Sequence, residues 1–278
     1  MFAPTQFGIT MLKLGLLLKS KISNNQIDEI ISGTGCQLAK VFTEDSAINS
    51  DIDELLSSCD ILLIACTNER KFEIASRAIK KGVVPIINNI DGLNSSTLSQ
   101  LQQLANEIGI KFCFVELGHN FDGYSIPSEN PFIGNLKRYI GKPISDEATF
   151  QQYLTYDIAT ALKFSKLDVR KVRAYGLPMC SNIPQSLMVM VDFGNNSVFT
   201  YNLQQANDIE QLEYEISTGK YSEKINILTT PYSSENLAIE ASVKAISGIV
   251  NRSESANTIE LALEATKLVD TILSKINL

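Results

Sequence analysis

The chain has 278 residues, 24 Lys and Arg against 31 Asp and Glu, a formal net charge of −7, and 44% hydrophobic residues. That length and apolar share give material for a large core and two domains, and they exclude a disordered chain. An acidic balance without a Lys/Arg stripe interleaved with aromatics argues against a nucleic-acid partner.

No apolar run reaches the length of a membrane helix. The short run Leu14 to Leu18 reads as a first strand rather than a signal peptide, because no small-residue cleavage site follows it. Met11 could serve as a second start, which would make residues 1–10 dispensable. The five cysteines, Cys36, Cys59, Cys66, Cys113 and Cys180, are widely spaced, and there is one histidine. That pattern is expected of buried thiols in a reducing compartment, hence a cytoplasmic protein, and not of a disulfide framework or zinc site.

The first half alternates short apolar runs with helical patterns. Strands are predicted over Leu12 to Leu18, Gln37 to Phe42, Ile61 to Cys66, Val83 to Ile87 and Ile110 to Val115. Helices are predicted over Asn24 to Ile31, from Ile52 to Leu56, from Thr67 or Asn68 to Lys81, and from Ser95 or Ser96 to Ile108. Thr67 and Asn68 offer capping side chains, and Phe72, Ala75 and Ile79 form the expected apolar face. Strand and helix alternating at this spacing predict a parallel sheet with right-handed crossovers.

The rhythm changes near Gly118. A turn-rich stretch contains a predicted short helix near Ile133 to Ile140, then a helix over Tyr153 to Phe164. Strands follow over Val169 to Tyr175, Leu187 to Phe193, Ser197 to Leu203 and Glu210 to Ile216, with an edge strand over Lys224 to Leu228. Gly194-Asn195-Asn196 predicts a hairpin turn. Two helices close the chain, Glu235 to Val250 and Ser253 to Ile276. The fold class expected is α/β: a Rossmann-like parallel sheet domain over 1–118, then an α+β domain over 119–278 with a mostly antiparallel open sheet.

The stretch CDILLIACTNERKFEIASRAIKKGVVPIINN at 59–89, AYGLP at 174–178, the hairpin MVDFGNNSVFTYNL and the two final helices resemble the glucose-fructose oxidoreductase / inositol dehydrogenase family. The resemblance covers most of the chain in order and spacing. It implies an oxidoreductase with NAD or NADP as cofactor, and a homo-oligomer formed through the C-terminal sheet. No nucleic-acid or membrane partner is expected.

The charged motifs of that family are largely absent. Its glycine fingerprint after the first strand lets the backbone approach a pyrophosphate; here those positions hold Leu18, Ser20 and Ser23 in KLGLLLKSKISN. The leucine would obstruct a phosphate, although Lys19, Ser20 and Lys21 could hold an anion by side chains. The acid expected after the second strand is replaced by Thr43, with Glu44 and Asp45 next. The catalytic Glu-Lys-Pro segment falls on Asn88, Asn89 and Ile90, and an amide does not titrate. Cys66, Thr67, Asn68 and Asn88 would line the cofactor side. On the helix of the second domain, Gln152 and Tyr156 stand where the family shows Asp and His, with Asp157 behind.

His119, the sole histidine, follows Gly118 near the end of the parallel sheet, where open α/β sheets bind ligands. Lys137, Arg138 and Lys142 could attract an acidic ligand, or be ordinary surface. The candidate catalytic residues are therefore His119, Tyr156 and Asn89, and the cofactor candidates Leu18, Lys19, Ser20, Glu44, Cys66, Thr67, Asn68 and Asn88. No metal ligands are expected. Three functions stay open: a catalytically degenerate relative keeping a small-ligand or protein-binding role and no cofactor, an active NAD(P) enzyme with an atypical cofactor loop, or a structural dimeric subunit.

Overall fold

Runs such as Ile61 to Ile64 and Leu14 to Leu18 are apolar on both faces because both faces of their sheet are covered. A computed structural model describes residues 11–44, 49–119, 131–165, 168–177, 183–205, 210–219, 222–227, 238–251, 253 and 257–276. It divides into two units. The first comprises 1–93, 99–116 and 235–259, and the second 94–98, 117–234 and 260–278.

The first unit holds β1 (Lys13–Leu18), α1 (Asn24–Thr34), β2 (Gln37–Thr43), α2 (Asn49–Ser58), β3 (Ile61–Ala65), α3 (Asn68–Lys80), β4 (Val84–Ile87), most of α4 (Ser95–Ile108) and β5 (Cys113–Phe114). Its strands pair in parallel in the order β2-β1-β3-β4-β5. The order reverses beside β1, which makes the carboxyl end of β1 and β3 the switch point of the sheet. The predicted parallel sheet is therefore present. Only β5 is much shorter than expected: two residues instead of a run from Ile110 to Val115.

A late segment completes this unit. The α6 helix (Ile239–Val250) packs on α1 and sends Ala245 and Ile246 into the core with Leu14, Leu16, Leu18 and Ile30. Gly33 permits the approach. A Cβ there would stand 2.6 Å from Cγ1 of Val243.

The second unit is built on a six-stranded sheet of β6 (Phe132–Ile140), β7 (Val169–Leu177), β8 (Ser186–Phe193), β9 (Val198–Gln205), β10 (Gln211–Thr218) and β11 (Ser222–Ile227), ordered β11-β10-β6-β9-β8-β7. Every pairing is antiparallel except β6 with β9. The helices are α5 (Glu147–Ser165) and α7 (Ile259–Ile276). Asn196 takes a left-handed φ of 67° in the predicted hairpin turn between β8 and β9.

One prediction is corrected here. Residues 133–140 form no helix but the inner strand β6. Phe132, Gly134, Leu136, Arg138 and Ile140 alternate inward with period two. Gly134 and Arg138 occupy buried positions, so the hydrophobic pattern of a strand was broken exactly where the backbone kept it. Leu136, Tyr201 and Tyr214 lie on this buried face, against which α5 packs Leu154 and Ile158. Cross-strand partners Tyr175, Met188, Asn202, Lys137 and Glu213 share the opposite face.

Candidate functional site

In the first unit, the carboxyl ends of the strands gather most of the residues expected to hold a cofactor. β1 does not turn sharply at its end. The Lys19 amide donates to the Ala65 carbonyl at 2.6 Å, and the Glu44 amide donates to the Leu18 carbonyl at 2.8 Å. Both bonds carry the sheet one residue further. Leu18 is buried in the core, whereas Lys19 and Ser20 are exposed.

The connection from β1 to α1 contains no glycine, and none of its residues has a positive φ. The helix start is closed by its own side chains. Ser23 Oγ accepts from the Gln26 amide, and Gln26 Oε1 accepts from the Ser23 amide at 3.0 Å. This capping box uses donors that a helix N-terminus would otherwise direct at an anion.

Glu44 is also engaged. Its Oε2 accepts from the Thr67 amide at 2.7 Å and its Oε1 from the Thr67 hydroxyl at 2.5 Å. Thr67 is the N-cap of α3, but its side chain makes no capping bond. The capping role expected of it passes to Glu44, a carboxylate at a helix N-terminus. The side chain of Asn68 lies outside the described residues. Cys66 is buried, and burial followed by the charge of Glu44 pushes its thiol up to about 12.

The inward face of α3 carries a residue that sequence reasoning missed. Lys71 lies beside Ile74, Ala75 and Ala78 and is only 2% exposed. Its Nζ donates to Asn89 Oδ1 and to the Asp91 carbonyl at 3.1 Å. Asn89 Oδ1 also accepts from the Asp91 amide at 3.2 Å, so it organises the turn after β4. Burial lowers the pKa of Lys71, against the pull of Asp91, Cys66, Glu44 and Glu69. Asn89 is therefore the seat of a lysine that comes from another element. Its neighbour Asn88 is buried, with Oδ1 lacking a hydrogen-bond partner among the described residues.

The second unit brings His119 and Tyr156 together, as candidate site residues should be. Their rings meet edge to face, with centroids 4.7 Å apart and planes at 88°. Gly118, at φ +73°, lets the chain pass α5 closely: a Cβ would lie 2.6 Å from the Thr160 amide nitrogen. The His119 amide then donates to Thr160 Oγ1 at 2.8 Å, and Lys163 Nζ donates to the Gly118 carbonyl at 3.2 Å.

Behind the imidazole lies a buried ion pair. Arg138 Nε donates to Asp157 Oδ2 at 3.0 Å and its NH2 donates to Oδ1 at 2.5 Å. The Tyr201 hydroxyl donates to Oδ2 at 3.0 Å. The guanidinium also lies 5.3 Å from the centroid of the Tyr153 ring, whose hydroxyl donates to Glu210 at 3.2 Å. Arg138 is thus no exposed anion lure. Its charge is spent inside the protein on Asp157. Burial, against the pull of Asp157 and with Arg138 and Lys163, holds the pKa of His119 down at about 4.

No helix among the described residues is long and apolar enough to cross a membrane, and no metal-binding group of His, Cys, Asp or Glu occurs among them. Cys36, Cys59, Cys66 and Cys113 are buried free thiols; Cys180 lies outside the described residues.

Over 96% of its length the chain is similar in fold to solved dehydrogenases. It matches UDP-N-acetylglucosamine 3-dehydrogenase GnnA from Acidithiobacillus ferrooxidans at 14% identity and a TM-score of 0.69, over 96% of this chain and 98% of that one. Scyllo-inositol dehydrogenase from Lactobacillus casei matches at 15% identity and a TM-score of 0.64, over 96% of each chain. GenD2 from gentamicin A biosynthesis, solved in complex with NAD, matches at 11% identity and a TM-score of 0.68, over 96% of this chain and 94% of that one. No protein-family model matches the sequence, and no curated protein does.

Two outcomes follow from the buried charges. Lys71→Met should destabilise the protein by about 3 kcal/mol, because it leaves Asn89 Oδ1 and the Asp91 carbonyl without their buried donor and removes the cation whose charge attracts the buried Asp91. Adding Asp91→Asn should recover part of that loss in urea unfolding. A Lys71→Met protein as stable as the original would contradict the pairing. For His119, the folded pKa of about 4 lies below the ordinary 6.5, so the unfolded chain takes up the proton first. Stability should therefore fall by about 3 kcal/mol as pH drops from 6.5 to 4. His119→Gln should remove that part of the pH dependence; an unchanged dependence would contradict it.

Proposed function

We propose that this protein is a member of the glucose-fructose oxidoreductase / inositol dehydrogenase family that has lost hydride-transfer catalysis and keeps a small-ligand or protein-binding role. The observation that carries the reading is the connection from β1 to α1. It has no glycine between Leu16 and Ser32, and its helix start is closed by Ser23 and Gln26. A pyrophosphate needs close backbone approach and open amides there. Leu18 fills the core at the first fingerprint position, and Glu44 is committed to Thr67. These residues do not fit NAD or NADP in the manner of a glycine-rich turn, so no catalytic step is derived through either.

The catalytic candidates support the same reading. Asn89 has no titrating proton to give. Tyr156 meets the His119 ring edge to face, and an imidazole whose pKa is held down at about 4 is a weak base at neutral pH. The alternative of an active enzyme with an atypical loop needs Lys19 and Lys21 to supply anion binding by side chains alone.

Calorimetric titration separates the two. NAD, NADP and their reduced forms should give no binding at millimolar concentration. Micromolar binding of any of them, lost in the Lys19→Ala/Lys21→Ala protein, would overturn the proposal and restore the active enzyme.

A homo-oligomer through the second sheet is the accompanying partner proposal, with the cytoplasm as its setting. Ile133 and Tyr175 (both 64% exposed), Leu177 (61%) and Met188 (43%) all lie on its open face. Several large apolar side chains on one face favour a covering partner. Solution mass should be that of a dimer or larger for the original chain and lower for Tyr175→Asp/Leu177→Asp. A monomer at tens of micromolar would contradict the proposal.

A further inference from the structure

The only imidazole in the chain has neighbours that decide where its proton sits. Nε2 of His119 lies 3.3 Å from NH2 of Arg138. A guanidinium carries donors and no acceptor. Arg138 is also held in place by two bonds to Asp157, at 3.0 and 2.5 Å. A protonated Nε2 would set donor against donor at that distance. Nε2 must therefore present its lone pair to Arg138, and the proton of the neutral ring must be on Nδ1.

We infer that His119 is a fixed neutral hydrogen-bond donor through Nδ1, oriented by Arg138 as its positioning residue, and is not a proton-transfer group. The groups facing the ring agree with this. From β6 comes the Arg138 cation. From α5 come Tyr156, Asp157 and Lys163. Of these only Asp157 favours a charged imidazole, and its Oδ1 is 3.9 Å from Nε2. That carboxylate is already taken up by Arg138 and the Tyr201 hydroxyl. Arg138 and Lys163 oppose a further positive charge, and burial opposes it most.

The ring has little freedom to escape this state. Its backbone amide is tied to Thr160, and its ring packs perpendicular to that of Tyr156. A neutral Nδ1–H can only donate, to a carbonyl, carboxylate or hydroxyl oxygen. It cannot remove that group's proton near neutral pH. What the donor meets rests on the ligand-binding reading above; the protonation state does not.

Long-range 1H–15N correlation spectra of the full, ligand-free chain read this one imidazole directly. The expected pattern is the Nδ1–H tautomer, unchanged between pH 8 and 5.5. Arg138→Met should shift the ring toward the Nε2–H form and raise its titration midpoint by one unit or more. If that variant fails to fold, the spectrum of the original chain still decides the question. An Nε2–H pattern there, or a midpoint near 6.5, overturns the inference. Dinucleotide binding in the calorimeter would overturn the degenerate reading and leave this result standing.

Discussion

A charge removed from water must find its partner inside the protein, and both candidate sites of this chain are organised around such a charge. In the first unit it is the Lys71 ammonium, held by Asn89 and the Asp91 carbonyl. In the second it is the Arg138 guanidinium, held by Asp157. Desolvating either ion costs several kcal/mol. The partners are therefore fixed by necessity, and they fix the neighbouring chain in turn. Asn89 shapes the turn after β4, and Arg138 sets the imidazole of His119.

The same economy of polar groups underlies the proposed loss of dinucleotide chemistry on a kept scaffold. The fold needs buried parallel strands in one sheet and a second sheet with one buried face, and both are present at 14% identity to GnnA. Dinucleotide chemistry needs unspent groups: open amides at the first helix and an acid at the end of the second strand. Here Ser23 and Gln26 close the helix start, and Glu44 caps α3 through Thr67. Groups that a dinucleotide would need at these positions complete the protein's own hydrogen bonds.

Most of the fold could be read from the sequence because the strands of the first sheet are largely apolar runs, several of the second alternate buried and exposed residues, and the helices carry apolar stripes. The parts that could not be read share one cause. Arg138 and Gly134 stand at inward positions of β6, so a strand looked like a charged helix. Lys71 stands on the buried face of α3, where periodicity led us to expect only apolar residues. A buried ion is visible in sequence only when its partner is known, and Asn89, Asp91 and Asp157 lie 18, 20 and 19 residues from the cations they hold. The pairing of His119 with Tyr156 spans a longer separation still, although each is singled out by its own local pattern. Thr67 as a cap shows the reverse error: the position was right, and the side chain had a better acceptor in Glu44.

The central claim is that the carboxyl end of β1 is closed to a dinucleotide. Amide hydrogen exchange, followed by mass spectrometry with and without millimolar NAD, tests it at the residues concerned. Peptides covering 18–26 and 43–44 should exchange at the same rate in both conditions. Protection of 18–26 by NAD would show a nucleotide seated at the first helix and contradict the account.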